Sequence, residues 1–313
     1  MSIIQVKTPG LLTTVQDLGR EGFGPIGVSP SGAADPISLR LGNRLVANAE
    51  SAAGLEMTLL GGTFLFPEGA ILALTGSDFG ATLDGAAVDL GTSVDVRPGG
   101  TLRLGATRSG ARSYLCVQGG IVVTPFLGSG STHILTGLGG FQGRSLRKGD
   151  VLHIGPATGS FCKRTIAPQV LKYLSPHKVL RVTPGPQMDW FSESSRRAFY
   201  AGTYRVSEQS NRMGLRLEGT RVSQSAGGEM ITEGISLGAV QVPPGGLPII
   251  LFVDQPTTGG YPKIANVISA DLHRVGQLRP GDEIQFEEVT LEIARSLLIE
   301  QEKLLASAGL ILE

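Results

Sequence analysis

Residues that build metal and thiol centres are scarce in this chain. Of 313 residues only two are cysteine and four histidine. Cys116 and Cys162 form no CxxC, and His133, His153, His177 and His273 are dispersed with no HExxH, so no metal site is expected. Cys116, in YLCVQG, reads as a buried free thiol on a strand. There is no GxxxxGK[ST] phosphate loop and no AMKM-type lysine site, which excludes a P-loop NTPase and a chain that itself carries biotin, and the lack of a GxSxG elbow argues against an α/β-hydrolase. Aromatics are 5%, so the core must be mostly Val, Ile, Leu and Ala. Lys+Arg and Asp+Glu are 27 each with no basic run, which argues against nucleic acid or an anionic membrane as partner. No apolar run approaches the ~20 residues that span a bilayer. MSIIQVKTPG lacks the pattern of a signal peptide, so a soluble cytoplasmic protein is expected.

Glycine and proline are plentiful, 45 and 18, as in a fold of many short strands joined by turns. PGG (98–100), KGD (148–150) and PGD (280–282) separate apolar runs as hairpin turns do. The text also repeats: IIQVKTPG (3–10) with VLRVTPG (179–185), GLEMTLLGG (54–62) with GLRLEGTRV (214–222), YLCVQGG (114–120) with IILFVDQ (249–255), and RSLRKGDVLHI (144–154) with GQLRPGDEIQF (276–286). Four pairs in one order argue for duplication of a β-rich unit. The Pro-containing segment 156–178 separates the copies, giving domains 1–160 and 176–313. Two segments read as helical. DPISLRLGNRLVANAES (35–51) has Asp35 as cap and Pro36 in the first turn; in the tail, Thr290 caps a stripe of Leu291, Ala294, Leu298, Leu305 and Ala308 that Gly309 ends. The tail helix packs on the barrel or binds a partner. Pattern alone gives a mainly β fold of two antiparallel barrels or sandwiches.

Polar residues gather on glycine-rich turns. DQPTTGGYP (254–262) follows the apolar LPIILFV and carries Asp254, Thr257, Thr258 and Tyr261, the dress of a small-molecule site at the end of a buried strand. Asp254 is a candidate for proton transfer, or else a turn residue bonded to nearby backbone. Glu229 follows Gly227-Gly228, and Gln241 lies inside the apolar AVQVP, where a buried amide must be networked or face a pocket. LGSGST (127–132) can form an anion-binding nest with the Ser131 and Thr132 hydroxyls, and Arg144 can grip a carboxylate or phosphate. Equally, those glycines can serve tight turns alone and Arg144 a surface ion pair. Asp17 with Arg20 reads as a local ion pair or a site pair, and Asp78 ends an apolar strand where a carboxylate can face a cleft.

With TVQDLGREG (14–22), SPSGAADP (29–36), ALTGSD (73–78), GGFQGRSLRKGD (139–150), SNRMGLRLEG (210–219), EMITEGI (229–235) and GAVQVPPGGLPI (238–249), these motifs resemble the allophanate hydrolase subunit 2 family, also called the 5-oxoprolinase C subunit family, over about residues 3–288. The family is similar to the carboxyltransferase region of urea carboxylase. The resemblance implies two tandem cyclophilin-like β-barrel domains with a C-terminal helix, and a cleft between the barrels as the natural site. It implies one component of an ATP-dependent 5-oxoprolinase that opens 5-oxo-L-proline to L-glutamate with 5-oxoprolinase subunits B and A, ATP being shared with a partner. On that footing Asp254, Glu229 and Tyr261 are the catalytic candidates, and Gln241, Thr257, Thr258, Arg144, Ser131, Thr132 and Asp78 bind substrate. The alternatives are a carboxyltransferase component that needs biotin domains in trans, and a non-enzymatic antagonist of a kinase-inhibitor-like partner. The chain departs from the family at Gly130, usually basic, at Asn211, commonly acidic, and at Gln255-Pro256, where Arg and Gln are more usual.

Overall fold

Short alternating runs of apolar residues, cut by glycine, set the strands. The computed structural model describes residues 2–157, 161–174, 178–225 and 230–313, and these form two compact units. Neither unit is one continuous stretch: the first takes Met1–Arg20, Ser31–Ser175 and Ala306–Glu313, the second Glu21–Pro30 and Pro176–Leu305. A backbone ladder explains the return of the C-terminus, for Ile311–Leu312 pairs with Thr165–Ile166 and Ala167 N–H donates to Leu310 O at 2.9 Å. The segment 21–30 is fixed to the second unit by the Ser29 hydroxyl on Gln255 O.

In the first unit one sheet has seven strands, in the order Ile121–Val122, Val151–Ile154, Ile3–Thr8, Thr63–Phe66, Gly100–Arg103, Thr82–Leu83, Ala86–Ala87. The other has five: Leu12–Gln16, Gly54–Thr58, Arg112–Val117, Ala70–Gly76, Ser93–Val96. Ile4, Val6, Phe64, Phe66 and Leu152 of the first sheet share one core with Leu55, Met57, Leu72, Leu115 and Val117 of the second. Each such side chain is worth about 1.5–3 kcal/mol when fully buried. Arg112–Val117 is buried at every position because the helix Pro36–Leu45 covers its second face. Gly42 lets that helix approach closely: a Cβ there would lie 2.7 Å from Cys116 Sγ. Cys116 is free and fully buried, and burial pushes its thiol pKa up.

Asp35 caps the helix, its carboxylate accepting from Ser38 N–H at 3.0 Å, and Pro36 opens it. The helix stops at Leu45 rather than near residue 51, because Ala47 turns left-handed (φ 57) and the Asn48 amide leaves to bond Val117 O.

The second unit is a closed barrel of seven strands: Val179–Pro184, Lys263–Val267, Ala239–Gln241, Ile249–Leu251, Gly214–Gly219, Tyr204–Val206 and Glu283–Glu288, closing by a parallel pairing of the last with the first. The tail helix Leu291–Ala306 lays Ala294, Leu297 and Leu298 on Ile268, Ala270 and Val289, so it packs on its own barrel. Leu291 stands outside the expected stripe, exposed to solvent, and the helix ends at Ala306 before Gly309. No helix among the described residues is long and apolar enough to cross a membrane.

Two of the sequence repeats keep their register. Leu55 faces Leu115 across one antiparallel pair as Leu215 faces Ile250 across the other, which is the alignment of the repeated text. The KGD and PGD turns also match: Gly149 N–H bonds Val6 O and Val6 N–H bonds Asp150 O, while Gly281 N–H bonds Val206 O and Val206 N–H bonds Asp282 O. The first repeat does not extend this. Ile3–Thr8 runs antiparallel to the strand after KGD, whereas Val179–Pro184 runs parallel to the strand after PGD. These turns are real, with glycine φ of 81, 91 and 88 at 99, 149 and 281, but none closes a hairpin. Each lays its backbone against a strand distant in sequence.

Candidate functional site

In the second barrel DQPTTGGYP follows the strand Ile249–Leu251 and leads into Lys263–Val267. The two ends of that loop come to opposite ends of the short strand Ala239–Gln241. Near the first end Gly238 N–H donates to Leu251 O, and the Gln255 side chain reaches the backbone of 235–237. At the other, Val242 N–H donates to Pro262 O and Gln241 Nε2 bonds Tyr261 O at a long 3.4 Å. Between them Thr258–Gly259 pairs with Glu233–Gly234 as a two-strand ribbon. Asp254 and Tyr261 are therefore not neighbours, while Gln241 and Tyr261 are. Thr257 is half-buried with its carbonyl on Ile235 N–H; Thr258 and Tyr261 are exposed.

Beyond the loop lies Lys263, which sequence reasoning passed over. A β-bulge places Lys263 opposite Gln241 and Ala265 opposite Val240, leaving Ile264 unpaired. Bulges re-aim side chains in this way beside sites. Lys263 is 3% exposed and Gln241 5%, so an ammonium and an amide stand side by side in a dry wall. Lys263 Nζ pairs with Glu233 Oε1, and Gln187 Nε2 donates to the same oxygen at 2.9 Å. Gln187 Oε1 in turn accepts Lys263 N–H at 3.2 Å. Gly185 makes this possible, because a Cβ there would sit 2.2 Å from Lys263 O. The hydrogen bond from Lys263 holds the Glu233 carboxyl below the usual range, with Gln187 adding to it.

Asp254 and Arg212 form a buried bidentate pair, Nε–Oδ2 at 2.8 Å and Nη2–Oδ1 at 3.2 Å, backed by Asp254 N–H on Arg212 O. With both carboxylate oxygens on a guanidinium, Asp254 ties two strand ends together.

Other candidates are spent inside the first unit. The nest at 127–132 exists and holds an anion, but the anion is the carboxylate of Asp17. Its Oδ1 accepts from Gly19 N–H at 2.8 Å and Ser129 Oγ at 2.6 Å and from Ser131 Oγ, while Oδ2 accepts from Gly130 N–H at 2.6 Å. Thr132 Oγ1 donates to Val15 O, and Ser131 and Thr132 are fully buried. Arg20 donates to Ser131 O and lies over the Phe126 ring at 5.4 Å. Arg144 grips Asp150 at 2.7 and 2.9 Å, bracing the KGD turn. Asp78 caps Gly80 N–H and meets Arg108 at 3.0 Å on the surface. Glu229 lies outside the described residues. Lys263, Glu233 and Gln187 come from three separated segments, and only a lysine heading the apolar run KIANV hinted at them.

Residues 26–288 match the family of carboxyltransferase domains, subdomains A and B. The chain is similar to the 5-oxoprolinase C subunit of Escherichia coli K12, 40% identical over 96% of each chain, and to that of Haemophilus influenzae, 38% identical over 95% of this chain and 94% of the relative. Urea amidolyase of Saccharomyces cerevisiae is 38% identical over 94% of this chain, which spans 17% of that much longer protein. Among solved structures, the urea amidolyase of K. lactis superposes with TM-score 0.90 at 34% identity, covering 99% of this chain and 21% of that one. The chain therefore belongs to the carboxyltransferase-domain family that includes the 5-oxoprolinase C subunits and a segment of the urea amidolyases.

Proposed function

We propose that this protein is the C subunit of an ATP-dependent 5-oxoprolinase, which opens 5-oxo-L-proline to L-glutamate together with B and A subunits in the cytoplasm. The observation that carries the reading is the Lys263–Gln241 wall. A buried ammonium beside a buried amide complements a ligand that presents a carboxylate and a planar N–C=O group. The likeness to named C subunits along nearly the whole of both chains supports it.

Within that reading Lys263 fixes the ligand and opposes negative charge that develops at the ring, and Gln241 orients the amide. Tyr261 stands exposed at the rim. Asp254 serves by holding the loop's first end through Arg212. ATP activates the lactam, a resonance-stabilised and poor electrophile. The two features suited to its phosphates on this chain do not fit it: the nest is filled by Asp17 and Arg144 is held by Asp150. We therefore assign ATP to a partner subunit.

The test is glutamate release from 5-oxo-L-proline and ATP by the three subunits, with this chain present, omitted, or carrying Lys263→Met. Activity that needs this chain and falls at least about 100-fold with Lys263→Met, roughly 2.7 kcal/mol of transition-state stabilisation, is expected. A stable but inactive complex that instead carboxylates urea when biotin carboxylase and carrier domains are added would replace the reading with carboxyl transfer, which the urea amidolyase relatives make the second choice.

A further inference from the structure

Lys263 is nearly fully buried, yet its counter-ion is not. Glu233 is 45% exposed and sits on the two-residue ribbon with Thr258–Gly259, so the carboxylate reaches inward from the surface. It is the one ion-pair partner of Lys263 among the described residues. A buried ammonium left alone costs several kcal/mol, so whatever displaces Glu233 must itself be an anion.

The remainder of the seat does not depend on Glu233. Lys263 lies in a barrel strand, laddered to Gln241 on one side. Gln187 is anchored through Lys263 N–H and aims its Nε2 at the carboxylate oxygen that Lys263 also holds. Two donors thus converge on one carboxylate position, supported from the barrel, while the present acceptor comes from a ribbon at the surface. Gly259, across from Glu233, lets the ribbon backbone lie close against Gln241 and Ile235: a Cβ there would be 2.8 Å from Gln241 Nε2 and 2.5 Å from Ile235 Cδ1.

We propose that Glu233 is a tethered stand-in for the carboxylate of a small-molecule ligand, which takes its place on Lys263 and Gln187, so that the site selects carboxylated amides over amides such as urea that lack the carboxylate. This rests on the reading of the Lys263–Gln241 wall as the substrate site, and it adds what decides the substrate class. The exchange breaks one ion pair and forms another, with no net charge entering the wall. Glu233, released, returns to water, which its surface position makes inexpensive.

The experiment is calorimetric titration of the full-length protein, alone and in complex with its partner subunits, with 5-oxo-L-proline, with 2-pyrrolidinone, which is the same ring without the carboxylate, and with acetate. Glu233→Gln removes the competitor and keeps the shape. It should bind 5-oxo-L-proline about tenfold more tightly than wild type, about 1.4 kcal/mol, and 2-pyrrolidinone unchanged. Lys263→Met should lose 5-oxo-L-proline and keep 2-pyrrolidinone. Should Lys263→Met fail to fold, Gln187→Ala, which removes only the second donor, should weaken 5-oxo-L-proline alone. Tighter binding of acetate but of neither lactam by Glu233→Gln would uphold the carboxylate seat and overturn the lactam reading. Equal or weaker binding of every carboxylate by Glu233→Gln would overturn the seat itself.

Discussion

Asp17 shows how much one buried carboxylate organises. Four donors from 19 and 129–131 converge on it, and asparagine would offer one acceptor oxygen and an amide clashing with donors. Asp17→Asn should cost about 2–4 kcal/mol in urea unfolding. Tyr114 is a second such centre. Its hydroxyl donates to Glu56 at 2.7 Å and accepts from Asp35 N–H at 2.7 Å, all three residues being buried. Tyr114→Phe removes the acceptor of Asp35 N–H and one donor to Glu56, which keeps Ala34 N–H and Arg112, and should cost about 1–3 kcal/mol. In the second unit, Arg212→Ala leaves Asp254 buried without its guanidinium; a loss of about 3–5 kcal/mol is expected. An unchanged denaturation midpoint in any of the three would show that the network adds nothing to stability. The residue types were legible in the sequence, but not their pairings. QDLGR and LGSGST each looked like a site, and only folding reveals that one fills the other.

At the scale of elements, local chemistry was read with more success than contact. Asp35-Pro36 announced the first helix, and Asp35→Ala should cost about 1 kcal/mol by loss of its cap, read as a lower thermal midpoint. The three Gly turns were legible because a positive φ favours glycine. Their partners were not, since Gly149 bonds Val6 and Gly281 bonds Val206 from far along the chain. The tail helix was visible in its apolar period, but the period alone could not choose between a barrel face and a partner. Packing of Ala294, Leu297 and Leu298 on Ile268 and Ala270 makes that choice. The bulge that sets Lys263 opposite Gln241 left no mark in the text, because one extra residue in a strand changes register without changing composition.

For the molecule as a whole, stability should be bounded on both sides of pH. Asp150, through its hydrogen bond to Arg144, and Glu233, through that to Lys263, have carboxyls held below their usual range. Each contributes stability that is present above the unfolded value, about 4 for such groups, and is lost as pH falls through the lowered folded value. Tyr114, Tyr200 and Tyr204 are pushed up chiefly by burial. A buried tyrosine of that kind keeps its contribution below about pH 10 and loses it as pH rises further. Urea midpoints should therefore be flat between these limits and fall on both sides, with the acid limb shallower in Arg144→Gln. An acid limb identical in that variant would remove Asp150 from the account. The sequence by itself determined the mainly β class, the family and the duplicated strand pair, since alternation, turn glycines and motif order are properties of neighbours along the chain. Tertiary structure alone decided that Ile311–Leu312 returns to the first unit, that Asp17 closes its own nest, and that Lys263, Glu233 and Gln187 meet. Those outcomes depend on strand register and burial between segments far apart in the chain, which no local pattern encodes.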